Sequence, residues 1–316
     1  MRLPGRVVVA GGTGLLGRAL SDRLAAHGHD VIVLTRQPSS ATVAPAHADS
    51  TRAGVRLVHW TPDGSHGPWS ALLDGAAAVV NLAGESIGAG RWSEAQKDRL
   101  RGSRRDATRS LVAALEACRT PPGVFVSGSA VGYYGLTRDK PLTEDSPPGT
   151  DFLARLCLEW ETIAGSADGY ASRVVLLRTG LVLDREGGAL PRIVAPFRLF
   201  AGGTLGSGRQ YISWIHIDDW VEMASRAIVD ERVKGPINAT APGPVTNREF
   251  AHEIGSVLNR PAWLPAPEFA LRALLGEMAD ALLLGGQRVI PARAIELGFQ
   301  FRFAGIRAAL ESVLRK

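Results

Sequence analysis

Gly11-Gly12-Thr13-Gly14-Leu15-Leu16-Gly17 follows the apolar run Val7-Val8-Val9 and opens a helix-like stretch from Leu15 to His27. No other feature of the chain restricts its fold as much. A glycine at 11 permits a tight turn off a first strand, one at 14 lets backbone approach a pyrophosphate, and one at 17 lets the helix settle on the sheet. Peptide N–H groups at the start of that helix then face the anion. A β-branched run, Val31-Ile32-Val33-Leu34, returns after the helix. The glycines therefore sit inside a strand–turn–helix–strand unit and read as a dinucleotide-binding fingerprint rather than a chance cluster.

That unit predicts an α/β fold: a doubly wound, Rossmann-type parallel sheet with a smaller, mostly helical C-terminal substrate lobe. At 316 residues and 45% hydrophobic content the chain can bury a substantial core. Residues 1–185, completed by about 211–240, are expected to form the nucleotide-binding domain, and 186–210 with 241–316 the lobe. No apolar run reaches the roughly 18 residues of a membrane span. Met1 to Leu16 reads as strand and turn rather than as a signal peptide, because Gly-Gly-Thr-Gly interrupts its apolar run and no small-residue cleavage pattern follows. Cys118 and Cys157 are too few for a disulfide framework or a metal cluster, so no metal and a cytoplasmic setting are expected. The net charge is +5, but the basic residues are scattered, and the densest group, Arg99 to Arg105, lies in one predicted helix. A small-molecule substrate is expected rather than nucleic acid or a membrane, with the chain a monomer or homodimer.

Taken in order, Val31 to Leu34 ends at Thr35-Arg36. An acid about 20 residues beyond the glycine turn bonds the ribose 2′-hydroxyl of NAD, whereas an arginine pairs with the 2′-phosphate of NADP. Arg36 and the lack of an acid there point to NADP. Gln37 to Thr51 reads as a loop, Val55 to His59 as a third strand, and Ala76 to Leu82 as a fourth that runs into Ala83-Gly84. Ser93 caps a long helix to Cys118, which Pro121-Pro122 ends. Gly123 to Val126 is a fifth strand, with Ser127 to Gly135 at its C-terminal end, the edge where such sheets bind and react. Arg173 to Arg178, Ile237 to Thr240, a capped helix from Thr246 to Leu258, and amphipathic helices over Phe269 to Leu284 and Ile306 to Leu314 complete the reading.

Ser127-Gly128-Ser129-Ala130-Val131-Gly132-Tyr133-Tyr134-Gly135 resembles the Ser-Ser-Ser-Ala-x-Val-Tyr-Gly stretch of extended short-chain dehydrogenase/reductases such as the nucleotide-sugar epimerases. With Asn81-Leu82-Ala83-Gly84-Glu85-Ser86-Ile87, Arg91-Trp92, Ser103-Arg104, Leu142 to Ser146 and Trp214 to Asp219, the chain is similar nearly end to end to the atypical "epimerase family" proteins that carry a small C-terminal domain of unknown function. The resemblance implies that Gly11, Gly12, Thr13, Gly14, Leu15, Leu16, Gly17, Thr35, Arg36, Leu82, Ala83, Gly84 and Ser127 hold NADP(H), and it puts Ser129 in the place of a catalytic serine. It also implies that His216 and Asp218 tie the lobe to the sheet.

One departure bears on activity. The superfamily uses Tyr-x-x-x-Lys for proton transfer. Lysine stands only at 97, 140, 234 and 316 and tyrosine only at 133, 134, 170 and 211, so the pair is absent. Aligned on Glu161, Leu153 and Cys157 occupy its positions. Ser129, Tyr133 and Tyr134 are the hydroxyls nearest the expected reaction centre, and packing against the cofactor is the other use for the tyrosines. Two functions stay open: an NADP-dependent oxidoreductase or epimerase on a small polar, nucleotide-sugar-like substrate, and a non-catalytic NADP(H)-sensing or protein-interaction module.

Overall fold

The computed structural model describes residues 5–37, 54–137 and 139–315. Seven parallel strands form the central sheet: β1 Arg6–Ala10, β2 Asp30–Thr35, β3 Val55–His59, β4 Ala78–Asn81, β5 Phe125–Ala130, β6 Val174–Thr179 and β7 Gly235–Ala239. Their spatial order is β7-β6-β5-β4-β1-β2-β3, which reverses direction at β1 and opens a crevice at the C-terminal edge between β1 and β4. Val7, Val8 and Val9 are fully buried because both sheet faces are covered, so this strand reads as a continuous apolar run.

Helices α1 Leu15–Ala26 and α5 Ile217–Val229 cover one face, where Val7, Val9, Val31 and Val33 meet Leu20, Leu24, Trp220 and Ala224. On the other face, α2 Glu94–Glu116 and α3 Phe152–Gly165 cover Val8, Ile32, Val79 and Phe125, with Leu111 and Leu115 of α2 in contact with the sheet. Ser93 caps α2 by accepting the Gln96 N–H, as its place before the apolar pattern predicts. Leu183, Leu190, Val194, Phe197, Trp214, Phe250, Ile254 and Leu310 make a further core, which joins α4 Leu190–Arg198, α6 Asn247–Leu258 and the helix Ile306–Leu314.

Three local expectations change. β5 extends through Ser127-Gly128-Ser129 to Ala130, so Ser129 is a strand residue paired with Arg178 and not part of the turn beyond. Phe269 to Leu284 is not one helix: α7 Glu268–Leu275 stops at Gly276, whose φ of +61° breaks the helical path, and a short turn and a wide π turn follow. The apolar pattern survives that break because Met278 and Ala281 still pack on Trp92, Leu100 and Phe152. All of the loop read from Gln37 to Thr51 except Gln37 lies outside the described residues.

Candidate functional site

The glycine turn makes the approach between β1, β4 and α1 as close as backbone allows. Gly11 has φ +80°, and a Cβ on it would stand 2.5 Å from the Leu82 carbonyl carbon. A Cβ at Gly17 would meet the Gly11 oxygen at 2.3 Å, and one at Gly12 the Val33 side chain at 2.6 Å. Gly14 differs: it is exposed, with φ −76°, and its Cβ would only touch the Gly11 oxygen at 3.4 Å. Helix α1 starts at Leu15 without a side-chain cap and without an acid in its first turn. Its leading N–H groups thus lack the partners helix ends usually recruit, beside exposed Thr13 and Gly14 and half-buried Leu15 and Leu16.

The rest of this rim comes from β2 and β4. Thr35 is buried and exchanges hydrogen bonds with the Gln37 backbone, while Arg36 beyond it is exposed. Asn81 donates to the Thr108 hydroxyl at 2.9 Å and accepts the Ala83 N–H at 3.2 Å, which shapes Leu82, Ala83 and exposed Gly84. Ser127 lies inside the sheet, fully buried, with its hydroxyl directed at the Gly128 carbonyl. It is therefore set back from the rim that the other residues line.

At the ends of β5 and β6 the structure gathers a buried polar network. The Ser129 hydroxyl donates to Glu161 Oε1 at 2.6 Å. Arg178 donates to both Glu161 oxygens at 2.9 and 2.8 Å, to the Tyr134 hydroxyl at 3.0 Å and to the Glu144 carbonyl at 3.1 Å. Tyr134 in turn donates to Asn238 Oδ1 at 2.6 Å, and Asn238 N–H donates to the Glu144 carboxylate at 2.9 Å. Arg178 and Glu161 are 3% and 7% exposed, so the pair is sealed from water. The Tyr133 ring lies on the Arg178 guanidinium, 3.5 Å from its centroid, and edge-on to Tyr134. Tyr133 is only half-buried, and among the described residues no hydrogen bond engages its hydroxyl.

Ser129, Tyr133 and Tyr134 are thus brought together, but two of their hydroxyls are already engaged. Glu161, Arg178, Glu144 and Asn238 are the residues that sequence reasoning did not place in the site. The signal available was a charge inside an apolar run, as in Leu156-Cys157-Leu158-Glu159-Trp160-Glu161 and Val174-Val175-Leu176-Leu177-Arg178.

His216 sits elsewhere. It caps α5 by accepting the Asp218 N–H, stacks on Phe303 at 4.0 Å, and has its pKa lowered by burial against the pull of Asp218 and Asp219. Asp218 pairs with Arg302 at 2.9 Å, so both residues tie α5 to the chain's C-terminal part.

Burial pushes the Tyr134 phenol up to about 12, although Arg178 and Asn238 pull it down. Burial does the same to the Cys157 thiol, up to about 12, with Glu161 adding to the rise. Neither group is an ionised nucleophile or base near neutrality. With folded values above the unfolded ones, both contribute stability that is present below the ordinary values of 9.0 and 10.0 and is lost as pH rises toward about 12. The denaturation midpoint is expected to fall across that window, less steeply in Cys157→Ala, as measured by urea unfolding at stepped pH. Equal slopes in both proteins would exclude the thiol as a source.

Comparison with known proteins agrees with this architecture. Residues 7–239 match the NAD dependent epimerase/dehydratase family, and residues 266–313 match a domain of unknown function, DUF1731. The chain is 43% identical over 312 residues to the chloroplastic epimerase family protein SDR39U1 homolog of Arabidopsis thaliana, covering 98% of this chain and 86% of that one. It is similar to the crystal structure of human epimerase family protein SDR39U1 (isoform 2) with NADPH, at 36% identity and a TM-score of 0.87 over 98% of this chain and 99% of the human one. A nucleoside-diphosphate sugar epimerase from Corynebacterium glutamicum is 35% identical with a TM-score of 0.78, over 99% of this chain and 58% of that one.

Proposed function

Because the chain belongs to the NAD dependent epimerase/dehydratase family, we propose that it binds NADP(H) at the C-terminal edge of its sheet and acts as an oxidoreductase or epimerase on a small polar, nucleotide-sugar-like substrate. The observation that carries the reading is the bend at residues 11–17. Its closely packed glycines leave an uncapped helix start beside exposed Gly14, a cradle that side chains would fill. The human relative whose structure holds NADPH has the same fold over nearly its whole length.

Gly11, Gly12, Thr13, Gly14, Leu15, Leu16 and Gly17 would hold the pyrophosphate, Thr35 and Arg36 the adenosine ribose and its 2′-phosphate, and Leu82, Ala83 and Gly84 the inner riboses, with Ser127 buried behind them. When bound, the nicotinamide supplies hydride transfer. The protein's own part is positional. Glu161 and Arg178 fix Ser129 at the strand end and hold the Tyr133 ring flat on the guanidinium. Tyr133 is the tyrosine at this edge whose hydroxyl is left to exchange a proton with a substrate oxygen. Residues 186–210 and 241–316 would supply the substrate lobe, whose apolar core is shared with Leu183 and Trp214 of the nucleotide-binding part.

One observation favours the second reading, a non-catalytic NADP(H)-sensing or protein-interaction module: Ser129 and Tyr134 spend their hydroxyls inside a buried network. Titration with NADPH and NADH, followed by a carbonyl-substrate screen for oxidation of bound NADPH, separates the two. Turnover supports the enzyme, and tight NADPH binding without turnover supports the sensor. Arg36→Ala is expected to weaken NADPH by roughly tenfold to a hundredfold, the worth of a charge-assisted hydrogen bond, and to leave NADH affinity unchanged. Equal losses for both nucleotides would remove the 2′-phosphate role.

A further inference from the structure

Arg104 projects from α2 into the corner between the end of β4 and helix α3. A Cβ on Gly84 would stand 3.2 Å from its Cγ and 3.3 Å from its Cζ, so the glycine makes room for it. On the other side its guanidinium lies 5.2 Å from the Trp160 ring centroid. The Trp160 edge packs beneath Gly128 of β5, where a Cβ would be 3.0 Å from Cη2. The side chain is thus clamped at the C-terminal edge of the central strands.

Among the described residues no carboxylate forms an ion pair with it: Nη1 donates to the Leu100 carbonyl at 3.1 Å, and Glu85 acts on the guanidinium only from beyond contact distance. Glu85 on the adjoining loop is engaged by Gln96 at 2.8 Å and Arg99 at 3.7 Å. Cys157, close enough to interact with Arg104, keeps its proton to about 12 and offers no thiolate near neutrality. The buried Trp160 N–H also lacks an acceptor among the described residues, so the corner is rich in donors. Burial lowers the Arg104 pKa against the upward pull of nearby Cys157 and Glu85. Of the neighbouring cations on α2, Lys97 pairs with Glu94 and Glu277 and Arg105 with Asp106, while Arg101 lies over the Phe152 ring at 5.4 Å.

An arginine in such a corner is only partly compensated by the Leu100 carbonyl and the Trp160 ring, and its planar fork matches a carboxylate or phosphate. We propose that Arg104 is an anion-binding residue of the substrate site, and that the substrate presents an oxyanion to its free donors beside Gly84 and Trp160. The inference rests on the reading of this sheet edge as the reacting end of a dinucleotide site. It names the side chain that would meet the substrate's anionic group.

The test is binding of malonate and of inorganic phosphate to the NADPH-saturated protein by calorimetry, against an equal ionic strength of sodium chloride. Wild type is expected to bind at least one of them saturably. Arg104→Met is expected to weaken that binding at least tenfold with NADPH affinity unchanged. Arg104→Lys, which keeps the charge but not the fork, should fall between the two, and Arg119→Met, on the exposed bend that follows α2 at the other edge of the sheet, should match wild type. Preference for malonate identifies a carboxylate, and preference for phosphate a phosphoryl group; both support the proposal. Anion affinity unchanged in Arg104→Met and Arg104→Lys, or no saturable binding by wild type, overturns it. If NADPH itself does not bind wild type, the dinucleotide reading fails instead. Should Arg104→Met not fold, Arg104→Lys with intact NADPH binding decides alone.

Discussion

Replacing Arg178 with methionine is expected to lower the unfolding free energy by roughly 3–5 kcal/mol, the cost of stranding a buried charge. Glu161, 7% exposed, would keep only the Ser129 hydroxyl as a donor in this network. Tyr134 and the Glu144 carbonyl would each lose a donor, and the Tyr133 ring its 3.5 Å platform. The expectation depends on pairing, not on charge as such. Arg178→Met combined with Glu161→Leu should therefore recover a large part of the loss, because two apolar side chains need no partner. Urea unfolding with a constant m-value measures both variants. A loss below about 1 kcal/mol in the single variant would place the pair among water-screened surface bridges and contradict its burial.

The second large effect separates binding from folding within one turn of chain. Gly14→Val is expected to leave thermal stability near that of wild type, since position 14 is exposed, has a φ of −76°, and lets a Cβ in at 3.4 Å. NADPH affinity should nevertheless fall by more than about a hundredfold. Blocking the approach to the helix start forfeits two or more hydrogen bonds to a charged group, at roughly 1.5–3 kcal/mol each. Gly17→Val should do the opposite in order: its Cβ would lie 2.3 Å from the Gly11 oxygen, so α1 is pushed off the sheet and the fold is lost first. Thermal melts paired with NADPH titration distinguish them. A Gly14→Val protein that binds NADPH like wild type would refute the assignment of the bend.

Much of the fold was legible because it is local. Val7-Val8-Val9 and Val31 to Leu34 announce strands buried on both faces, Ser93 announces the start of α2, and Thr246 with Glu249 closes a capping box at α6. The one long helix that failed did so at a single residue, Gly276, because apolar spacing persists across a break that only the backbone angle reveals. The candidate site was legible in part. The glycine bend and Arg36 stand out by spacing, whereas Ser129 was recognised as a hydroxyl without a hint that Glu161, 32 residues away, engages it.

By itself the sequence determined the doubly wound sheet, the bend that suits a dinucleotide, and the absence of a Tyr-x-x-x-Lys pair, since strand pattern, backbone freedom and residue identity are all properties of neighbours along the chain. Only the tertiary structure decided how the hydroxyls and charges at the C-terminal edge of the sheet are used. Tyr134 meets Asn238 across 104 residues and Glu144 meets Asn238 across 94, while among the described residues Arg104 has no carboxylate in contact. Burial makes the difference, because a charge or hydroxyl withdrawn from water must find its partner in whatever the fold brings beside it.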